Sequence, residues 1–461
     1  MKTVNIGVIL AGGSGIRSKQ VRPKQLLKLA GRPVIEYSIE AFERHEAIDH
    51  IIVVASAASK MEIQNIVNKR LFRKVKSIIL GGDERYKSSI AAIEAVKRMR
   101  TDCNINLIYH DAVRPLLSQE IITSVIEALE MYGAVDVAIP STDTIIEVNE
   151  KSNTIKSIPN RKHLMNGQTP QGFRFDVIEK AYNIALKDKN FESTDDCGVV
   201  IKYLPHEPIK IVNGSQINVK LTYPEDLYVI DKLIQIRNSR YIKSFEEETL
   251  HTQLKDKIII IYGGTSGIGK SIATLLKSIG SIVEIASRKN GVDIANIKQV
   301  IAFTEDILEK HGRIDAVINT AAVLTTKPYS TMSADEINTS VAINYLGALN
   351  VMSASFSALK RSQGSILNFT SSSYTYGRAN YSVYSSSKAA IVNLTQALSD
   401  EWYEHNIKVN CINPERTDTP MRKEAFGFEN PETLLSSEEV ASASVNLLAS
   451  GLTGQILEVR K

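Results

Sequence analysis

The sequence predicts an α/β protein of two domains, each built on a mostly parallel sheet, and three stretches carry that prediction. Ile258-Ile259-Ile260-Ile261 is an all-apolar, β-branched run of the kind a parallel strand needs when both its faces are covered. It passes at once into Gly263-Gly264-Thr265-Ser266-Gly267-Ile268-Gly269, and Ser271 to Leu276 then follows helical spacing. The order of strand and glycine-rich turn also occurs near the start, where Val4 to Leu10 leads into Ala11-Gly12-Gly13-Ser14-Gly15. Two such openings in 461 residues imply two Rossmann-like units, each with its own nucleotide site, rather than the three domains that length alone favours.

Composition narrows the function. A hydrophobic content of 43% is enough for two cores, and a net charge of +4 spread over 55 basic and 51 acidic residues forms no basic block. A nucleic-acid surface is therefore not expected, whereas phosphorylated small molecules need only local cations. Cys103, Cys197 and Cys411 are isolated and lack CxxC spacing, which supports neither a disulfide framework nor a zinc site. Gly7 interrupts the opening apolar run, which leads into a charged loop and not a cleavage site. No stretch approaches the ~20 apolar residues of a membrane span, so a cytoplasmic protein without membrane partners is expected.

In the first half, the turn Ala11, Gly12, Gly13 and Gly15 is followed closely by Arg17 and Lys24. Bare backbone N–H groups and two cations can wrap a triphosphate, although the glycines alone are equally compatible with a mobile surface loop. Strand Ile105 to Tyr109 ends in His110-Asp111, a position suited to a Mg²⁺ ligand and also to a turn or helix cap. Residues 141–172 break the alternation of strand and helix, with strand-like pieces at Thr144 to Val148 and Thr154 to Ile158.

Leu10 to Arg17, Pro23-Lys24-Gln25, Gly81-Gly82-Asp83-Glu84-Arg85 with Ser88, His110 to Pro115, Gln168 to Phe173, Thr194-Asp195-Asp196 and Val219 to Thr222 occur in an order that resembles the nucleotidyltransferases. The likeness spans roughly residues 3–235 and is strongest to cytidylyltransferases acting on 2-C-methyl-D-erythritol 4-phosphate or ribitol 5-phosphate. It implies that Lys24 and Lys220 stabilise charge on the α-phosphate, Arg17 binds the pyrophosphate side, and Asp111 holds Mg²⁺. It further implies that Gly82, Asp83 and Ser88 read the cytosine of CTP. A β-arm would complete a homodimer partner's acceptor site through Thr144, Arg161 and Thr169.

Residues 236–253 contain Glu246-Glu247-Glu248 and few apolar anchors, and read as an exposed helix or tether between a first domain, 1–235, and a second, 254–461. In the second domain, strand Ser281 to Ala286 ends in Ser287-Arg288-Lys289, where cations favour the 2′-phosphate of NADPH over the bare ribose of NADH. Asp293 suits either an adenine contact or a polar turn. Tyr384 and Lys388 are spaced to face the same way on one helix, so an ammonium can lower the phenol's pKa toward working pH and help it protonate a carbonyl. Tyr381 is the wrong distance from Lys388.

The glycine turn (Gly263, Ser266, Gly267, Ile268, Gly269), Asn319 after strand Ala316 to Ile318, Asn344, Ser371 and the Tyr384–Lys388 pair together resemble the short-chain dehydrogenases/reductases over about residues 255–461. The resemblance implies that Ser371 orients the substrate and Asn344 relays protons. Ser372 or Ser373 would replace Ser371 if the strand end is misread. Two departures stand out: Asn319-Thr320-Ala321-Ala322 replaces Asn-Asn-Ala-Gly, and Pro414-Glu415 replaces Pro-Gly. The fusion resembles bifunctional enzymes of bacterial capsule synthesis. That implies reduction of the pentulose D-ribulose 5-phosphate to the pentitol D-ribitol 5-phosphate, then conversion to CDP-ribitol.

Overall fold

The computed structural model describes residues 2–13, 22–99, 103–149, 152–243 and 245–461. The chain divides into two compact units, the first dominated by Pro33–Ile230 and the second by Asp231–Lys461.

Among the described residues, the first unit holds an eight-stranded sheet. Its strands are β1 (Thr3–Ala11), β2 (His50–Ala55), β3 (Val75–Leu80), β4 (Asn104–Asp111), β5 (Ala134–Pro140), β8 (Met165–Gly167), β9 (Gln171–Arg174) and β10 (Ile209–Asn213), with β6 (Glu147–Asn149) and β7 (Thr154–Ser157) forming a separate antiparallel ribbon. The sheet runs 8-5-9-4-1-2-3, with β10 beside β5. Strands β4, β1, β2 and β3 are parallel, while β9 runs against β4 and β5. The arm strand begins only at Glu147, so Thr144 to Ile146, expected within a strand, is irregular.

The apolar run of β1 is used on both faces. Ile6 and Val8 enter one buried cluster and Ile9 and Ala11 the other, as a period of two requires. Gly7 belongs to this packing: a Cβ there would lie 2.4 Å from Phe42 Cδ1, so its missing side chain admits the aromatic ring.

The second unit repeats the logic. Its sheet is β11 (Ile258–Tyr262), β12 (Ile282–Ala286), β13 (Ala316–Asn319), β14 (Ser365–Phe369), β15 (Lys408–Pro414) and β16 (Ile456–Val459), ordered 12-11-13-14-15-16 and parallel throughout. Ile259 and Ile261 pack into one cluster, and Ile258, Ile260 and Tyr262 into the other. This is why four isoleucines can follow one another. The segment read as a tether is two helices, Asp226–Lys243 and Glu247–Leu254, whose Ile242 and Leu254 join the second unit's core. In the first of these Ile230, Ile234, Asn238 and Ile242 form the buried row, while exposed Tyr228, Val229, Ile236 and Tyr241 blur the apolar stripe. No helix among the described residues is long and apolar enough to cross a membrane.

Gly7→Ala is expected to lower the stability of the first unit by about 1–3 kcal/mol, because the new methyl overlaps the Phe42 ring. Adding Phe42→Leu should recover part of that loss in denaturant melts. Strictly additive losses would show that the two residues do not press on each other.

Candidate active sites

In the first unit, β1 ends where β4 ends, with Leu10 paired to Asp111. Ala11 is buried, and Gln25 Nε2 donates to its carbonyl at 2.8 Å. A Cβ on Gly12 would meet Ser88 Oγ at 2.9 Å, one on Gly81 would meet the same oxygen at 2.5 Å, and one on Gly82 would meet the Lys87 side chain. The turn after β1 and the start of helix Arg85–Lys97 therefore approach each other over buried Ser88 with no room for side chains. No described atom lies within 4 Å of a Cβ built on Gly13, while exposed Asp83 is 2.6 Å from Lys87. Gly15 and Arg17 lie outside the described residues.

Asp111 is surrounded by cations: Lys220 Nζ at 2.7 Å, with Arg85 and Arg114 each at 3.9 Å. Burial would raise its carboxyl, but Lys220, then Arg85, hold it down at about 2. Lys24 donates to the carbonyl of Thr222, two residues beyond Lys220. A buried chain fixes the aspartate's main chain. His110 Nε2 lies 3.0 Å from the Arg114 carbonyl, His110 Nδ1 lies 3.0 Å from Thr169 Oγ1, and that oxygen accepts from Asp111 N at 3.1 Å. Burial lowers His110 to about 4, so the ring is neutral. A carbonyl can only accept, so the proton sits on Nε2 and Thr169 donates to Nδ1. Thr169 thus supports Asp111 from behind. Thr144 and Arg161 are exposed in the arm, where Arg161 Nη1 donates to Thr142 O at 2.9 Å. No hydrogen bond or ion pair among the described residues joins either to Asp111.

The second unit contains a cleft of about 360 Å³, a size that suits a small-molecule site. Gly263, Ser266, Gly267, Ile268 and Gly269 line it, together with Arg288 and Lys289 from the end of β12. Gly263 has φ +84°, and a Cβ there would meet Ala321 N at 2.7 Å; one on Gly269 would meet Gly263 O at 2.5 Å. Backbone approaches backbone, which is the cradle a dinucleotide needs. Asn319 is buried off the wall and accepts from Ala321 N at 3.3 Å. Asp293 lines the cleft and accepts from Ala295 N at 2.9 Å, the polar-turn arrangement.

Ser371, Tyr384 and Lys388 share the wall of this cleft. Lys388, only 4% exposed, donates to Phe369 O at 3.0 Å and lies 5.6 Å from the Tyr384 ring centroid. Asn344 is off the wall, in a widened helical turn, Ala342–Leu346. Its amide bonds the main chain of Val323 in both directions, at 2.9 and 3.0 Å. Its side chain is therefore occupied in holding the loop after β13.

The expected lowering of the Tyr384 pKa is not found. Burial lifts the phenol to about 12 against a hydrogen bond with Ser371, and burial lowers Lys388 to about 8. The ammonium is directed to a carbonyl and is itself poorly solvated, so it does not offset the phenol's desolvation. At neutral pH Tyr384 is a neutral proton donor.

Residues 5–235 match the 2-C-methyl-D-erythritol 4-phosphate cytidylyltransferase family, and residues 290–430 match the short chain dehydrogenase family. The chain is 46% identical over 458 residues to the bifunctional ribulose 5-phosphate reductase/CDP-ribitol pyrophosphorylase of Haemophilus influenzae, an alignment covering 99% of this chain and 96% of that protein. The chain belongs to this bifunctional family. It joins a cytidylyltransferase to a nicotinamide-dependent reductase. The first half alone is 43% identical over 230 residues to the 2-C-methyl-D-erythritol 4-phosphate cytidylyltransferase of Thermobifida fusca, covering 49% of this chain and 92% of that enzyme. The second is similar to a 3-ketoacyl-(acyl-carrier-protein) reductase from Brucella melitensis, solved with NADH (25% identity, TM-score 0.43, 45% of this chain and 97% of that one).

Local spacing gave no role to Arg85, which the structure places at the site, or to Asp136, whose carboxylate accepts from Gln171 Nε2 at 3.1 Å. Arg85, the last residue of the Gly81–Arg85 segment, pairs with fully buried Asp196 at 2.5 Å while reaching toward Asp111. Asp136 had no motif at all; burial raises it to about 6, Gln171 opposing and Asp195 adding to the shift.

Lys388 also makes stability depend on pH. Unfolded, it keeps its proton to about 10.5; folded, it releases it near 8. Between those values the unfolded state binds more protons, so stability rises with pH. Lys388→Met is expected to stabilise the reductase unit at pH 7 by on the order of 2 kcal/mol while abolishing reduction. Thermal melts from pH 7 to 10.5 should show the variant's advantage shrinking. A constant advantage would exclude the buried ammonium as its source.

Proposed function

We propose that the second unit uses NADPH to reduce D-ribulose 5-phosphate to D-ribitol 5-phosphate, and that the first transfers CMP from CTP to this product. The products are CDP-ribitol and pyrophosphate, the former an activated donor for capsule or teichoic-type polymers. The observation that carries this reading is likeness along nearly the whole of a protein with both activities, with candidate residues of each chemistry brought together.

In the reductase, NADPH supplies the hydride. Neutral Tyr384 donates its phenolic proton to the carbonyl oxygen as that oxygen gains charge, Ser371 orients the same oxygen, and Lys388 stabilises the phenolate left behind. Asn344 holds the Val323 loop, and Arg288 and Lys289 favour a 2′-phosphate. In the cytidylyltransferase, a phosphate oxygen of the polyol attacks the α-phosphorus of CTP and the bond to the β-phosphate breaks. Lys24 and Lys220 neutralise the charge that gathers between two anions, Arg17 binds the leaving pyrophosphate, and Gly82, Asp83 and Ser88 select cytosine. Ionised Asp111 suits a Mg²⁺ ion. With no group of three acidic, His or Cys ligands among the described residues, the other ligands would be phosphates and water. Exposed Ile145, Ile146, Val148, Ile155 and Ile158 support a homodimer through the arm, with Thr144 and Arg161 facing a partner's acceptor. CTP and NADPH as substrates support a cytoplasmic setting.

A second reading, 2-C-methyl-D-erythritol 4-phosphate as the acceptor, is favoured by the likeness of the first half alone. Purified protein with ribulose 5-phosphate, NADPH, CTP and Mg²⁺ separates the two: no NADPH oxidation would overturn the pentulose assignment. Tyr384→Phe should lower reduction by about 10²–10⁴-fold and spare cytidylyl transfer, because only the proton donor is deleted. Lys24→Ala should do the reverse. Loss of both activities in either folded variant would contradict independent sites.

A further inference from the structure

We propose that Arg378 binds the phosphoryl group of the ketone substrate and so selects phosphorylated over free ketoses, an inference that rests on the reductase reading above. Such a substrate brings nearly two negative charges into the cleft. Recognition calls for a guanidinium that is held in place yet not already neutralised.

The cations on the cleft wall differ in this respect. Arg288 and Lys289 follow β12 on the side given to the cofactor's 2′-phosphate, and Lys388 is buried beside Tyr384. Arg422 is held by both oxygens of Glu429, at 2.5 and 2.8 Å, with its guanidinium over the Phe426 ring. Arg416 shares Glu429 at 3.7 Å and donates to the Thr433 carbonyl. Among the described residues the partners of Arg378 are hydroxyls, Ser372 Oγ at 3.0 Å and Tyr381 Oη at 3.2 Å. No carboxylate pairs with it among the described residues.

Those two hydroxyls are next to the groups that would hold the carbonyl. Ser372 follows Ser371, and Tyr381 lies one helical turn before Tyr384, their ring centroids 6.4 Å apart. The guanidinium is thereby tied to both sides of the reacting pair. In a ketose 5-phosphate the phosphorus is five bonds from the carbonyl carbon, roughly 6 Å at ordinary bond lengths of about 1.5 Å. A substrate whose carbonyl meets Tyr384 thus has its phosphate within reach of a side chain anchored on Ser372, the neighbour of Ser371, and on Tyr381, three residues before Tyr384. Hydroxyls also suit a site that must change partners: they accept from the arginine now and can donate to a phosphate oxygen when one arrives.

The test compares D-ribulose 5-phosphate with free D-ribulose in the full-length enzyme with NADPH. Arg378→Gln should lower kcat/KM for the phosphate on the order of 100-fold, mainly through KM, and leave that for D-ribulose within about threefold. Competitive inhibition by inorganic phosphate should weaken in parallel, and Arg378→Lys should recover part of the loss. Unchanged NADPH affinity and cytidylyl transfer would show that the variants are folded. Equal losses on both ketoses, or no loss on either, would overturn the proposal. A wild type inactive on D-ribulose 5-phosphate would reject the pentulose reading alone; the same ratio is then measured on other ketose phosphates and their free ketoses. No preference for any phosphate would overturn the role of Arg378.

Discussion

Both sites depend on the in-register pairing of parallel strands. Parallel neighbours joined by crossovers leave the sheet at the same edge, so residues far apart in sequence arrive at one level. In the first unit Leu10 pairs with Asp111, placing the glycine turn beside the aspartate. In the second, Tyr262 pairs with Ala286 and Asn319, and Asn319 with Asn368, so the turns beginning at Gly263, Ser287, Thr320 and Thr370 open onto one cleft edge. A slip of one residue would exchange the faces of every side chain in the moved strand. Ile259 and Ile261 would trade clusters with Ile258 and Ile260, and Asp111 would leave its three cations. Burial on both faces therefore protects the chemistry as well as the core.

The two units treat buried charge differently. Asp111 lies among Lys220, Arg85 and Arg114, and Arg85 is in turn fixed by Asp196, which accepts from Tyr182 at 2.6 Å. That network keeps a carboxylate ionised at the cost of engaging a lysine that an incoming phosphate also attracts. Among the described residues Lys388 has no such network. Its partner is a carbonyl, and burial brings its pKa to about 8. A charge held weakly near neutrality is costly to the fold but easily rebalanced when a neighbouring phenol gives up its proton.

What could be read from the sequence was what local spacing encodes. The isoleucine run, the two glycine turns, the aspartate at a strand end and the Tyr384–Lys388 spacing all follow from periods of two or 3.6 and from backbone room. Within the described residues their positions in the fold match the expected elements to within a residue or two. Features set by contacts across the chain were not legible. The buried edge of Asp226–Lys243 is a row spaced by four, Ile230, Ile234, Asn238 and Ile242, but the helix also carries apolar residues on its exposed side, so what the row packs against is set elsewhere in the chain. Asp136 acquires its raised pKa from burial and Asp195, far off in sequence. The inverted expectation for Tyr384 has the same origin: helical spacing gives the proximity of Lys388 but not the solvent exclusion that outweighs it.

The departures from the reductase pattern are informative for a similar reason. Glu415 stands where a glycine is usual, yet its N–H donates to Val459 O at 2.9 Å, continuing the pairing of β15 with β16, so the main chain accommodates the change. The residue lines the cleft that Arg378 also lines, while its carboxylate accepts from Lys461 N at 3.3 Å. Engaged there, it does not neutralise Arg378, which has no carboxylate partner among the described residues and is left to attract a phosphate. A phosphate drawn to Arg378 gives one orientation of a ketose phosphate the advantage. In that orientation the carbonyl, not the phosphate, is left to Ser371 and Tyr384.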